Sequence, residues 1–321
     1  MKKKCPLCHK GKSRRSCIIK DNEIICSKCC AEIRNSECAE CEFYISSNKY
    51  EISRAKSGSS SKFITMLSPD TDEEVDMALD LFEKGQITLA QEKIKGLYKE
   101  HPNYHQTNYA MGVIEIQKKN YDKALEYLNK TTDIYPLFSE AFYNKAIIYK
   151  EKMELAMMAS EFLSLMEVED SSSELYQTAK EFIDMIERGY KNVTIRDYIK
   201  SDKLFKKAFE YLDVSDYKTA KKYFEKALAV NNETVQTYGN LGLCCMAIGE
   251  REEALKYLNS ALDLDPNYEP ALLNLHLLTS KNDKELKEYF ATARRAKDIK
   301  YYKDYSLEDG EKKSLIRELM S

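Results

Sequence analysis

Residues 235–268 read VQTYGNLGLCCMAIGEREEALKYLNSALDLDPNY. Ile248-Gly249-Glu250 divides this stretch into two apolar-periodic runs, and Pro266 closes the second. Gly suits a helix C-terminus and Pro prevents a helix from continuing. The stretch therefore predicts two helices joined by a tight turn. Gly242 in the first helix and Ala254 and Ala261 in the second are small enough to let the two approach closely.

Working outward, the same marks return at a fixed interval. Ala220 and Ala254 are 34 apart, as are Phe224 and Leu258, Ala227 and Ala261, Ala90 and Ala124, and Pro102 and Pro136. One interval shared by several residue types is the signature of stacked hairpins, each burying its apolar face on its neighbours. Tyr223, Phe224 and Leu228 are the large residues that fill the space between pairs.

Tyr238, Leu241, Gly242, Ala254, Leu258, Ala261 and Pro266 resemble the tetratricopeptide repeat, with Tyr in place of its usual Trp. Similar units lie at 71–104 (Ala78, Ala90, Pro102), 105–138 (Gly112, Ala124, Leu128, Pro136) and 201–234 (Ala208, Tyr211, Ala220, Phe224, Ala227). A weaker one lies at 139–170, where Ala146 and Tyr149 keep the pattern and Met158 replaces a small residue. The interval from Met158 to Ala220 falls six short of two periods. The slip predicts an irregular unit at 171–200, with one helix near 173–188 and a loop at 189–194. Capping helices at 271–280 and 283–297 complete an array spanning 71–300, and a tail follows at 301–321.

The resemblance implies an all-α fold, an α-solenoid in which helix pairs wind into a right-handed superhelix. It also implies a groove lined mainly by first helices, in which a segment of a partner protein can lie. Asn240 and Asn274 are 34 apart and Asn144 holds the matching place, so these amides are the candidate groove residues. An amide offers donor and acceptor together, which suits a peptide backbone; the other reading is Asn facing water. Some relatives clamp a chaperone's C-terminal carboxylate with Lys and Asn. The corresponding places here hold Phe205 and Phe209 in one repeat and Tyr109 and Val113 in another, which argues against that ligand.

The segment 1–56 has another character. Of the ten cysteines, eight lie between Cys5 and Cys41, and the other two are Cys244 and Cys245. Cys5 and Cys8, Cys26 and Cys29, and Cys38 and Cys41 form three Cys-x2-Cys pairs; Cys17 and Cys30 complete the set. Two intervening residues let the chain turn so that both sulfurs reach one ion, and zinc favours four thiolates in a tetrahedron. Eight thiols make two such sites, hence about two zinc ions. Cys5, Cys8, Cys26 and Cys29 are assigned to one, and Cys17, Cys30, Cys38 and Cys41 to the other. Cys29 and Cys30 then point to opposite sides of an extended backbone. His9 is an alternative ligand, and iron–sulfur ligation an alternative use of the thiols. Apart from Cys, residues 5–41 offer few apolar side chains, among them Leu7, Ile18, Ile19, Ile24, Ile25 and Ile33. A segment this short rarely folds without a metal, a disulfide or a partner. The head resembles a cysteine-rich motif found beside helical repeats in some prokaryotic proteins, which implies zinc binding and no defined activity.

Residues 1–62 carry 14 basic against 7 acidic side chains, whereas the whole chain is at −3. The basic head suits either phosphate contact or compensation of zinc-bound thiolates. A nucleic-acid-associated adaptor is thus the alternative function, although no aromatic residue precedes Phe43 to stack on a base. Ser57-Gly58-Ser59-Ser60-Ser61, within 57–70, has linker composition.

No apolar run is long enough to span a bilayer, and the N-terminus lacks a signal-peptide core. A cytoplasmic protein is expected, with no membrane partner. No phosphate-binding Gly-rich loop occurs. His101 and His105 flank Pro102, which breaks any shared helix, and both read as exposed loop residues. Cys244 and Cys245 read as core packing. The expectation is a non-enzymatic scaffold with protein partners and no small-molecule substrate.

Overall fold

The computed structural model describes residues 5–8, 15–20, 23–26, 29, 30, 33, 41 and 68–292. The expected linker at 57–61, Cys38, His9 and the tail at 301–321 lie outside the described residues. The chain divides into two compact units, up to Ala141 and from Phe142.

In the first unit, strand β1 (Arg15–Cys17) pairs antiparallel with β2 (Glu23–Ile25), with Arg15 opposite Ile25 and Cys17 opposite Glu23. The helices are α1 (Pro69–Glu83), α2 (Ile87–Glu100), α3 (His105–Gln117) and α4 (Tyr121–Ile134). Val75, Ala78, Ile94, Ala110, Met111 and Ile114 form their shared core. Helix α5 (Ser139–Glu151) spans the division.

The second unit continues with α6 (Leu155–Val168), α7 (Glu174–Arg188) and α8 (Ile195–Asp213), followed by α9 (Tyr217–Val230), α10 (Val235–Ile248), α11 (Arg251–Leu264), α12 (Glu269–Ser280) and α13 (Asp283–Thr292). The described residues are all-α apart from the one hairpin, and α1/α2, α3/α4, α8/α9 and α10/α11 pack as pairs in the manner of a helical-repeat solenoid.

The turn inside each pair is built the same way. Gly85, Lys119, Met153, Ser215 and Gly249 all have φ between 59° and 85°. Each is followed by a residue whose N–H reaches back five positions: Asn120 to Glu115 O and Glu154 to Tyr149 O at 2.8 Å, Asp216 to Tyr211 O at 2.9 Å. This is the Schellman closure, which satisfies carbonyls that the helix end leaves orphaned. Close packing explains the helical glycines. A Cβ on Gly112 would stand 2.9 Å from Leu128 Cγ, and one on Gly242 would stand 2.6 Å from Leu258 Cγ.

Where the period slips, side chains hold the chain. Ser173 caps α7 by accepting from Tyr176 N at 3.1 Å, and Thr194 caps α8 by accepting from Asp197 N at 3.2 Å. Glu187 Oε1 accepts from Ile195 N at 2.9 Å. The carboxylate of Glu233, in the turn before α10, accepts from Lys191 N at 2.9 Å and Asn192 N at 3.0 Å.

Two expectations change. His105 is not an exposed loop residue: it begins α3 and is 3% exposed, its ring against Tyr104, Tyr135 and Phe138. Pro102 does end α2, but the aromatic residues of the next turn close over the imidazole. Cys29 and Cys30 are helical rather than extended, with Cys30 N donating to Cys26 O at 3.0 Å. Helix α13 packs on α10.

Candidate functional site

In the head, β2 delivers Ile25 into the buried cluster and Cys26 directly after it; the helical turn then brings Cys29 back beside Cys26. The Cys5–Cys8 turn supplies the other two thiols. The sulfurs of Cys5, Cys8, Cys26 and Cys29 all lie within 4.8 Å of one another. Cys8 Sγ and Cys26 Sγ stand 3.7 Å apart. A disulfide requires about 2.05 Å. A tetrahedral zinc with Zn–S of about 2.3 Å requires sulfurs about 3.8 Å apart. The four residues therefore fit a zinc ion in donor type, number and spacing. Cys29 N, 3.5 Å from Cys26 Sγ, adds a backbone donor to that sulfur.

Burial pushes the Cys29 thiol up, and the crowding sulfurs of Cys8, Cys26 and Cys5 push the same way. Burial also acts to raise Cys5, but backbone hydrogen bonds involving Cys26, Cys8 and Leu7 outweigh it and leave that thiol below its ordinary value. The remaining cysteines are arranged otherwise. Cys17 and Cys41 are buried, Cys30 is half-buried with Arg15 Nη1 3.8 Å from its sulfur, and Cys38 lies outside the described residues. Among the described residues, Cys17, Cys30 and Cys41 do not converge as the first four do.

The amides expected along the groove are mostly covered. Asn240 and Asn274 are buried and Asn144 is half-buried. Asn240 Nδ2 has no hydrogen-bond partner among the described residues. Cys244 and Cys245 are both fully buried.

Sequence reasoning missed one cluster. Cys245, Glu250 and Glu253 come together around Lys221, whose ammonium bonds both carboxylates. Burial opposes the charge on Lys221, but these two carboxylates overcome it and push its pKa up. The ammonium already supplies the cation, so the cluster is an ion-pair link between α9 and α11. The signal was faint: Lys221 and Glu253 lie almost a full period apart in the chain and meet only when successive pairs stack.

Among the described residues, no helix is long and apolar enough to cross a membrane. The helix pairs and their recurring register define a helical-repeat protein. Three segments, residues 75–137, 197–234 and 235–268, match models of the tetratricopeptide repeat. The chain therefore carries tetratricopeptide repeats. No curated protein sequence matches the chain. Several solved structures are similar to it. MamA is 18% identical, with 62% of this chain and 94% of that one covered and a TM-score of 0.31. YrrB, described as a TPR protein with an unusual peptide-binding site, is 14% identical over 71% of this chain and 97% of that one, at 0.27. The TPR2AB domain of yeast Sti1 in complex with pHSP90 is 17% identical over 78% and 97%, at 0.32.

Proposed function

We propose that the chain is a protein-interaction scaffold whose helical repeats hold a partner segment and whose head is a structural zinc module. The observation that supports the first part is the repeat itself, matched in three segments and folded as paired helices. First helices stacked at a fixed interval leave a surface that extended or helical segments fit. On α3 that surface offers the half-buried Tyr109, Val113 and Ile116. These are apolar, so the ligand is a segment with apolar side chains.

Affinity capture from the native cell with the full chain, compared with a Val113→Glu/Ile116→Glu variant, tests this. Specific partners are expected with the parent chain and at least a tenfold loss with the variant, at unchanged helical circular dichroism. The same proteins captured equally by both, or none by either, would overturn the groove reading.

In the head, Cys5, Cys8, Cys26 and Cys29 would hold one zinc. Four sulfur ligands leave no open position for water, so the ion fixes the fold and performs no catalysis. The second ion expected from Cys17, Cys30, Cys38 and Cys41 requires the described three to draw together. Elemental analysis of the purified chain separates one zinc from two, and Cys5→Ser is expected to remove one equivalent.

A further inference from the structure

The four convergent thiols of the head differ in exposure. Cys5 is 0% exposed and Cys26 and Cys29 are 5% each, whereas Cys8 is half-buried. Cys8 ends a turn in which Pro6 and Leu7 both face water. A small solute that reaches the cluster therefore meets Cys8 first. Cys26 is the more firmly held of the two. It follows β2 directly, its carbonyl accepts from Cys30 N at 3.0 Å, and its sulfur lies 3.5 Å from Cys29 N. That sulfur stands 3.7 Å from Cys8 Sγ.

A cysteine that responds to oxidants needs exposure and a second thiol close enough to resolve it. The other cysteines lack one or the other. Cys244 and Cys245 are fully buried, and Cys17 and Cys41 are buried as well. Cys30 is half-buried but stands outside the four convergent sulfurs.

We propose that Cys8 is a site of oxidation by hydroperoxides and that Cys26 is its resolving thiol, so that the head opens under oxidant and closes again under reductant. This rests on the zinc reading above and names the chemistry that acts on the same site. The Cys8 thiolate attacks one peroxide oxygen, the O–O bond breaks, and hydroxide leaves, giving a sulfenic acid. The Cys26 thiolate then attacks Cys8 Sγ, the S–O bond breaks, and a second hydroxide leaves as the S–S bond forms. The two sulfurs together lose two electrons, the peroxide gains them, and two protons convert the hydroxides to water. The sulfurs close from 3.7 Å to about 2.05 Å, a shift that the exposed Cys5–Cys8 turn can make. Cys5 and Cys29 are then the two ligands left of four, too few to hold the ion. Loss of the ion removes the head's folding free energy, while the helices keep the clusters they bury themselves. A dithiol reverses the change by exchange, becoming a disulfide itself.

The test uses the purified full chain, its zinc measured first. Hydrogen peroxide is added, zinc release is followed with a chromogenic chelator, and disulfides are mapped by mass spectrometry after free thiols are blocked. The first linkage should join Cys8 to Cys26, form at the rate of zinc release, and disappear when dithiothreitol and zinc are added back. Cys8→His keeps a zinc-binding nitrogen in place of the oxidisable sulfur and should slow peroxide-driven release at least tenfold. If that variant does not fold, the map of the parent chain still decides. A first linkage within one turn, Cys5 to Cys8 or Cys26 to Cys29, would overturn the proposal. So would zinc retained while Cys30 is already oxidised. Failure of the zinc reading shows separately, as a chain without zinc before any peroxide is added; the disulfide map reads the Cys8–Cys26 pair in either case.

Discussion

Lys119, Met153 and Ser215 occupy the left-handed backbone region that Gly85 and Gly249 fill in their own turns. A side chain there costs about 1–2 kcal/mol of backbone strain, against the extra freedom that Gly loses on folding. Lys119→Gly and Ser215→Gly are each expected to stabilise the chain by about 0.5–1 kcal/mol, read as a higher urea midpoint at unchanged slope. His105 adds a pH dependence. Burial holds its imidazole below the ordinary value, while Asp72 pulls weakly the other way. The folded state therefore binds fewer protons than the unfolded state as pH falls through about 6.5, and stability declines from there down to the folded pKa. Replacing His105 with Phe should flatten the stability profile between pH 7 and 5, measured by thermal unfolding at stepped pH.

These residues also show how far sequence alone reaches. Gly85 and Gly249 mark their turns by composition, so the hairpins that contain them were legible. Lys119, Met153 and Ser215 carry no such mark; their conformation is imposed by the packing of the helices on either side. Of the cysteine assignments, Cys5, Cys8, Cys26 and Cys29 come together as two Cys-x2-Cys turns. The helical turn at Cys29 and Cys30 was not legible, because adjacent cysteines fit a strand and a helix equally well.

Among the elements, α5 and α6 are joined by a buried ion pair. Lys145 Nζ stands 2.8 Å from Glu161 Oε2, and both side chains are largely covered. Lys145 also lies over the Phe142 ring, 5.1 Å from its centroid. Desolvation offsets much of what such a pair gains, so its presence stabilises little, whereas removing one partner strands a buried charge. Lys145→Met is expected to cost about 3–5 kcal/mol in chemical denaturation. The double change Lys145→Met/Glu161→Leu should recover most of that loss, because it leaves no charge behind. The sequence hid this pair: Met158 and Ala159 identify the packed side of α6, but nothing in the repeat register reports which polar positions face inward.

For the molecule as a whole, the head and the repeats draw their stability from different sources. The helices bury continuous clusters such as the one joining Phe205, Leu241 and Ala261, whereas the head's described cluster consists of cysteines with Ile19, Ile25 and Ile33. A strong chelator should therefore open residues 5–41 to protease while leaving helical circular dichroism nearly unchanged. Loss of both together would show that the ion supports the repeats as well.

The grip of Glu233 on Lys191 and Asn192 bears on any attempt to redesign the chain. An engineer wishing to restore a uniform array would excise the odd surplus, the stretch by which Met153 to Ser215 exceeds one period. That splice would also remove both backbone donors and leave the Glu233 carboxylate without the two hydrogen bonds it accepts there. A neutral replacement at 233 should therefore accompany the deletion, and the same replacement in the parent chain should loosen the 189–194 connection alone.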